Sequence, residues 1–346
     1  MSAETVSAAP EIEGREAGKL VERIFRAREL SLVGVLVLLV VAVTAANSRF
    51  LDSQNLKDIG LNVAIVAMLA VGQTVVVISR NIDLSVGSVL GISAFLTGTL
   101  FADHPGIAIP VVFVAGIAMG AAFGLLNGVM VAFGRVPSLV VTLGTLYIIR
   151  GIDFAWAQGR QINASQMPDS FLNIASSEVF GIPILVIVAV VVMLVVGFAL
   201  RSFRSGRELY AIGSNPEAAN LAGIRVSRRV IAAFVVSGAL AGLAGVLWAA
   251  RFGTIDATDG TGIELSVVAA VVVGGVNIFG GSGTVYGAAL GALLLSCISS
   301  ALVLLKVNPF WEQAIDGFLL LLAITIDRLL ALRVAHALQR RSARRA

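Results

Sequence analysis

Long apolar stretches separated by short polar ones dominate the chain from about residue 30 to residue 330. Ten of them approach the roughly 20 residues that a helix needs to cross the hydrocarbon core of a bilayer. They lie near 30–47, 57–79, 84–102, 107–133, 138–157, 180–200, 227–250, 263–278, 283–305 and 310–330. The pattern predicts an all-α, polytopic membrane protein with about ten transmembrane helices. The third and eighth spans are rich in Gly and Ser, so they are candidates for broken or re-entrant helices.

Polar segments flank this region on both sides. We expect residues 1–29 to form a cytoplasmic tail that ends in a basic amphipathic helix on the membrane surface. Residues 30–330 then form the transmembrane domain, with one larger cytoplasmic loop at 201–226. Residues 331–346 form a basic cytoplasmic tail.

Composition and charge agree with a multi-pass membrane protein. The 346 residues are 58% hydrophobic and 13% charged, with a mean hydropathy of +0.94, whereas soluble domains carry about a quarter charged residues. If the N-terminus is cytoplasmic, nineteen of the 25 Lys and Arg residues fall on the cytoplasmic side. This asymmetry predicts that both termini are cytoplasmic, and it reflects topology rather than nucleic-acid binding.

A five-residue pattern occurs twice, as Ile82-Asp83-Leu84-Ser85-Val86 and as Ile263-Glu264-Leu265-Ser266-Val267. Each copy begins a predicted span, the first running outward and the second inward. The alternative is a chance match of common residues, which the placement at equivalent spans disfavours. We therefore predict two inverted-topology repeats, as in many transporters. Asp83 and Glu264 would lie near opposite membrane faces, and with Ser85 and Ser266 they would act as capping or gating groups.

Several kinds of chemistry are not predicted. No phosphate-binding loop is present, and the glycines of Gly281 to Gly287 do not have dinucleotide-binding spacing. The single Cys297 and the distant His104 and His336 suggest no metal site and no catalytic triad. We therefore expect no cofactor, no metal and no enzymatic activity in this chain.

The cytoplasmic loop contains a predicted short helix. Ser214 or Asn215 can cap it, Pro216 suits its first position, and Glu217 favours the positive helix end. Ala218 and Ala219 continue the helix, and Gly223 ends it. About two turns of helix are too short to be stable alone, so we expect support from a partner surface or the membrane. The alternatives are a docking helix for a cytoplasmic subunit and an ordinary connecting turn.

This loop, from Gly206 to Ala219 with Gly223-Ile224, resembles the coupling-helix loop of ABC importer permeases, in particular the ribose, autoinducer-2 and rhamnose branch of sugar permeases. Three more stretches resemble the family in the same order: Arg80 to Ser88, Val136 to Thr145 with Arg150-Gly151, and Gly260 to Leu265 with Gly274-Gly275 and Gly280 to Gly283. Ribose-type members usually carry Gly-Gly where this chain has Arg80-Asn81. A monosaccharide such as rhamnose or an autoinducer-2-like sugar is therefore favoured over ribose.

The resemblance implies a permease subunit in the bacterial inner membrane. It implies three kinds of partner besides membrane lipid and no nucleic acid: a pair of cytoplasmic ATP-binding subunits, a periplasmic or lipid-anchored sugar-binding protein, and a second permease that is identical or paralogous. ATP hydrolysis would belong to the ATP-binding subunits. An ion-coupled secondary transporter with inverted repeats is the alternative, and a channel is a third class.

Polar and small residues inside the spans suggest further roles. Candidates for the translocation path are Gln73, Asn127, Thr142, Thr145 and Asn277, for each of which helix-to-helix hydrogen bonding is the alternative. Arg150 is expected to pair with Asp153 or to reach the membrane surface. Rows of glycine predict close helix packing within the chain: Gly120, Gly124 and Gly128; Gly238 and Gly242; Gly287 and Gly291.

Overall fold

The structure is a computed structural model that describes residues 30–134, 136–308 and 310–325. The predicted surface helix and the basic C-terminal tail lie outside these residues. Helices account for most of the described chain. They are α1 Leu30–Ala46, α2 Ser53–Ile78, α3 Val86–Asp103, α4 Ile109–Gly134, α5 Ser138–Ala157, α6 Asp169–Ser176, α7 Ile184–Ser202, α8 Arg204–Ser214, α9 Pro216–Leu221, α10 Val226–Phe252, α11 Ile263–Val273, α12 Val285–Leu304 and α13 at 311–325. A hairpin of β1 Glu178–Val179 and β2 Ile182–Pro183 precedes α7.

Seven described helices are long and apolar enough to cross a membrane, namely α2, α3, α4, α5, α7, α10 and α12. All seven lie on predicted spans. The other three predicted spans coincide with the shorter helices α1, α11 and α13. The all-α polytopic fold is therefore confirmed, and ten is an approximate count of the spans.

Two long helices form the centre of the bundle. Helix α10 packs against α3 and α4, and α2 packs against α11 and α12, while α2 and α10 also contact each other. Most of α2 and α10 is buried, whereas α4, α5 and α7 leave most of their apolar surface exposed. Each of the two central helices thus packs against one of the helices that begin in the repeated pentapeptide, α3 or α11.

Glycines allow the closest helix contacts. A Cβ atom added to Gly120 on α4 would lie 2.1 Å from the Gly238 carbonyl oxygen on α10, and one added to Gly238 would lie 2.2 Å from the Gly120 oxygen. Gly287 on α12 approaches the backbone of Gly274, just after α11, in the same way. The prediction that these glycine rows join helices within the chain is confirmed.

Helices α3 and α11 both begin inside the protein. The segments before them, 79–85 and 253–262, fold back between the helices, and Asp83, Ser85, Ile255 and Ala257 are buried. A Cβ atom on Gly87 in α3 would lie 2.3 Å from the Glu264 Oε2 atom in α11, so the first turns of the two helices adjoin.

The expectation that Asp83 and Glu264 lie near opposite membrane faces is therefore wrong. It assumed that each span starts at the membrane surface, whereas each of these helices starts after a buried non-helical segment. Arg80, with φ of 66°, and Gly260 and Gly262, with φ of 73° and 87°, take left-handed conformations where the chain reverses.

Helices α3 and α11 run in opposite directions. The end of the bundle that carries α8 and α9 is called the α8 end. From their adjoining starts, α3 runs away from the α8 end, since Gly98 lies against Ile162 and Ile255. Helix α11 runs toward it, since the connection after α11 hydrogen-bonds to Ile78 at the end of α2. This is the antiparallel relation predicted for inverted repeats.

Candidate functional site

The short helix α9 has the local features that its sequence predicts. The Asn215 Oδ1 atom accepts a hydrogen bond from the Ala218 N–H at 3.0 Å, and Pro216 is the first helical residue. Gly223 has φ of 79°, and the Ile224 N–H donates to the Ala219 carbonyl at 3.0 Å. Cap, first residue and terminator are thus confirmed, although α9 has only six residues. Ser214 ends α8 and does not cap α9.

One face of α9 is free and the other is packed. Glu217, Ala218 and Leu221 are exposed, with Leu221 89% exposed, whereas Ala219 is buried. The buried Ala219 side chain thus lies on the face of α9 that packs against the rest of the bundle. Leu221, one turn after Glu217, is the large apolar side chain on the exposed face of α9.

Glu208 fixes the neighbouring helix α8. Its Oε1 atom accepts from the Arg204 Nε atom at 2.7 Å, and its Oε2 atom accepts from the Arg229 Nε atom on α10 at 2.5 Å. The hydrogen bonds from Arg229 and Arg204 hold the pKa of the Glu208 carboxyl below its usual value. This clamp ties α8 to the central helix α10. No local sequence pattern indicates this clamp, because Glu208 and Arg229 are 21 residues apart in the chain.

Asp83 belongs to a buried polar network before α3. Its Oδ1 atom accepts from the Ser85 N–H at 3.0 Å and from the Ser85 hydroxyl at 2.6 Å. The Ser237 hydroxyl donates to its Oδ2 atom at 3.3 Å, and the Asn127 amide donates to the Ser85 Oγ atom at 2.8 Å. Asp83 is 1% exposed. This network holds the segment 79–85 inside the bundle.

Three of the five predicted path residues, Gln73, Asn127 and Thr142, hold the same segment. With its amide oriented to match its neighbours, Gln73 donates to the Asp83 carbonyl at 3.1 Å and accepts from the Asp83 N–H at 3.2 Å. Thr142 donates to the Ile82 carbonyl at 3.2 Å, and Thr145 donates to the Thr142 carbonyl at 3.2 Å. Gln73, Asn127, Thr142 and Thr145 are all buried. Hydrogen bonding to another part of the bundle, the alternative to lining a path, thus accounts for Gln73, Asn127 and Thr142, whereas Thr145 bonds within its own helix α5.

Asn277, the fifth, lies apart in the connection between α11 and α12. Its Oδ1 atom accepts from the Phe279 N–H at 2.9 Å, and the residue is partly exposed. It is the member of the predicted set that remains accessible.

Glu264 and Ser266 occupy a more open position than Asp83 and Ser85. Both are partly exposed, and Ser266 donates to the Asp316 Oδ2 atom on α13 at 2.5 Å. Ile263 begins α11, whereas Asp83 lies before α3, which begins at Val86. The first copy of the pentapeptide therefore ends at the first residue of α3, whereas the second copy lies wholly within α11.

Arg150 binds the non-helical segment 253–262 that precedes α11. Its guanidinium donates to the carbonyl of Ala257 at 2.9 Å and to that of Asp259 at 2.6 Å, and the residue is 9% exposed. The expected ion pair with Asp153 or exposure at the membrane surface is therefore not what the structure shows. The carbonyls of a buried non-helical segment need donors, and Arg150 supplies two.

The described residues contain no group of three or more His, Cys, Asp or Glu side chains that could hold a metal ion. Seven described apolar helices long enough to cross a membrane, with two partly buried non-helical segments and a short exposed helix at one end, define a multi-pass integral membrane protein.

Comparison with known proteins identifies the family. Residues 55–324 match the family described as "Branched-chain amino acid transport system / permease component", and the chain belongs to this family of permeases. The chain is 37% identical over 313 residues to the autoinducer 2 import system permease protein LsrC of Salmonella typhi, which covers 90% of this chain and 88% of that protein. It is 35% identical over 313 residues to the protein of the same name from Escherichia coli strain K12 / DH10B, covering 90% of each. No solved structure matches the chain.

Proposed function

We propose that this chain is the transmembrane permease subunit of an ATP-driven, binding-protein-dependent sugar importer. The observation that carries this proposal is α9, a six-residue helix with Leu221 and Glu217 exposed at one end of the bundle and Ala219 packed inward. A helix this short is not stable alone, and an exposed Leu beside a carboxylate suits a protein surface. The membership in a permease family supports it.

The α8 end faces the cytoplasm of an inner-membrane protein in this proposal. Arg80, Arg201, Arg204, Arg207, Arg225, Arg228 and Arg229 belong to the segments at that end, as the excess of cytoplasmic basic residues requires. A pair of ATP-binding subunits docks there and hydrolyses ATP. The binding protein delivers the sugar at the opposite end, and a second permease subunit covers part of the exposed apolar surface.

We assign two roles to the residues of α9 and its two ends, from Asn215 to Gly223. Glu217, Ala218 and Leu221 contact the ATP-binding subunit. Asn215 and Gly223 shape the two ends of α9, with Pro216 as its first residue, and Ala219 supports it from the bundle.

An autoinducer-2-like or rhamnose-like monosaccharide is the proposed cargo, because relatives named as autoinducer 2 import permeases cover nine tenths of the chain. Within the path, we propose that the partly exposed Glu264 and Ser266 face the sugar, and that Gln73, Asn127, Thr142 and Thr145 shape the buried wall behind them. Asn277 would lie at the cytoplasmic exit.

This function can be tested by placing a negative charge on the exposed face of α9. Leu221→Asp replaces an apolar anchor with a carboxylate, so we expect co-purification of the ATP-binding subunit and uptake of labelled autoinducer 2 to fall together, about tenfold or more for the loss of an interface hot spot. Leu51→Asp, at an exposed Leu on the opposite end, is the control and should keep the ATP-binding subunit. Normal uptake by Leu221→Asp without bound ATP-binding subunit would contradict the proposal.

An ion-coupled secondary transporter is the second candidate, and one observation favours it. Asp153 is fully buried, and within the described residues neither of its carboxylate oxygens has a hydrogen-bond partner. Buried ionisable groups in spans often serve ion or proton pathways. Uptake that follows an imposed proton gradient without ATP, and that Asp153→Asn abolishes, would establish this candidate instead.

A further inference from the structure

Three separate parts of the chain meet beneath the last turn of α8. The Gly281 N–H, in the connection between α11 and α12, donates to the carbonyl of Ile78, the last residue of α2, at 2.9 Å. Ile78 is buried. The end of α2 and the connection between α11 and α12 are therefore joined by a backbone hydrogen bond at the α8 end.

Gly213 of α8 lies directly against this hydrogen bond. A Cβ atom on Gly213 would be 1.9 Å from the Ile78 carbonyl oxygen and 2.3 Å from the Gly281 nitrogen. Real Cβ atoms do not approach backbone so closely, so only glycine fits while α8 keeps this position. Gly281 in turn has φ of 79°, and its own Cβ position is 2.5 Å from the Ser214 Oγ atom.

Tyr210, one helical turn before Gly213, makes a second attachment. Its hydroxyl donates to the Gly283 carbonyl at 2.9 Å. Burial raises the pKa of the Tyr210 phenol above its ordinary value, so it remains a donor at physiological pH. We define the junction as Tyr210 and Gly213 of α8 with Ile78, Gly281 and Gly283.

The junction leads to both α3 and α11. From Ile78 the chain passes through 79–85 into α3, and the connection that contains Gly281 begins at the end of α11. The first turns of α3 and α11 adjoin, where Gly87 meets Glu264. One path runs from Ile78 through 79–85 to the start of α3, and the other runs from Gly281 back along α11 to its start. A displacement of α8 therefore acts on both paths, which meet at Gly87 and Glu264.

We propose that this junction transmits movement of the docked α8–α9 segment to α3 and α11 together. The inference rests on the proposed function, in which α9 binds an ATP-binding subunit. Tyr210 and Gly213 are then positioning residues: they do not touch the sugar or the ATP-binding subunit, and they set how docking is converted into movement of the two helices.

The test separates coupling from binding. The complete transporter is reconstituted in proteoliposomes with its ATP-binding subunit and binding protein, and uptake of autoinducer 2 per ATP hydrolysed is measured. Gly213→Ala should lower this ratio about fivefold or more, the lower end of typical coupling effects. Tyr210→Phe, which removes one hydrogen bond without changing shape, should lower it about two- to fivefold. Co-purification of the ATP-binding subunit should stay at the level of the unmodified chain in both variants.

Matched controls use the same substitutions where the structure is open. Gly144→Ala adds a methyl group with no atom within 4 Å, and Tyr147→Phe changes an exposed tyrosine. Both should retain the unmodified ratio. If Tyr210→Phe and Gly213→Ala also retain it, the proposed junction is wrong.

A second readout follows the two helices directly. In a Cys297→Ser background, Leu84→Cys and Leu265→Cys, at partly exposed and exposed positions before α3 and in α11, are modified by a water-soluble maleimide with and without ATP and vanadate. ATP should change both rates, and Gly213→Ala should remove both changes. A change at only one position would overturn joint transmission. Failure of the unmodified chain to bind the ATP-binding subunit would instead refute the proposed function itself.

Discussion

The starts of α3 and α11 carry nearly the same five residues in very different surroundings. Asp83 is buried and accepts hydrogen bonds from Ser85 and Ser237, whereas Glu264 is partly exposed and has one oxygen, Oε2, without a hydrogen-bond partner within the described part of the chain. The difference follows from the preceding chain, because Asp83 precedes its helix and Glu264 lies in the first turn of its own. The preceding chain, and not the repeated motif itself, therefore decides which of the two carboxylate residues is fully buried.

The largest effect is expected from Asp83→Ala. It leaves the donors of Ser85 and Ser237 without an acceptor, at a cost of about 1–3 kcal/mol for each buried group. We expect the detergent-solubilised protein to lose thermal stability and to be recovered in low yield, measured by size-exclusion chromatography after heating. Glu264→Ala is the matched comparison and should change stability much less. Equal loss in the two variants would remove the proposed distinction between the helix starts.

The contact between the helix starts can be tested with Gly87→Ala. The added Cβ would lie 2.3 Å from the Glu264 Oε2 atom and 2.6 Å from the Gly260 carbonyl oxygen. Overpacking of this kind costs about 1–3 kcal/mol, so the midpoint of thermal unfolding should fall. Gly151→Ala, where no atom lies within 4 Å, should leave it unchanged. An unchanged midpoint for Gly87→Ala would mean that α3 and α11 do not adjoin.

Glu264→Gln should separate transport from stability. The side chain keeps its shape and loses its charge, and since Glu264 is partly exposed, we expect a stability change within about 1 kcal/mol. Uptake of autoinducer 2 should nevertheless change, because the residue is proposed to face the sugar. Asp83→Asn gives the comparison, with lower stability than Glu264→Gln. Unaltered uptake kinetics for Glu264→Gln would return Glu264 to a structural role.

Glu208, outside the spans, provides a carboxylate with both oxygens bonded. Its folded pKa is lowered by Arg229 and Arg204, so its contribution is fully present above the usual carboxyl pKa and is lost as pH falls through the lowered value. The difference between the unmodified chain and Glu208→Gln in thermal stability should be constant from neutral pH down to about pH 4.5 and should shrink below it. A difference that already shrinks near pH 6 would contradict the clamp.

Much of this architecture can be predicted from the sequence, because span length and apolar composition are local properties. Each predicted span coincides with a described helix, and the cap at Asn215, the Pro216 start and the Gly223 end of α9 were all recognisable from residue types. The glycine rows predicted helix contacts for the same reason, since they need only helical spacing.

Other features depend on contacts between distant residues. Span counting assumes that a helix starts at the membrane surface, so it separated Asp83 from Glu264, which the buried segments 79–85 and 253–262 bring close together. The bonds from Arg150 to the Ala257 and Asp259 carbonyls and the clamp from Glu208 to Arg229 join residues far apart in the chain. Neither leaves a local pattern that could have been recognised.

Cross-linking from Leu221 is the most direct test of the central claim, that α9 docks an ATP-binding subunit. Leu221→Cys in a Cys297→Ser background, coupled to a short photoactivatable reagent, is illuminated in membranes that contain the complete transporter. The proposal predicts a covalent product with the ATP-binding subunit, and none from Leu51→Cys at the opposite end of the bundle. Active uptake with no such product from Leu221→Cys would contradict it.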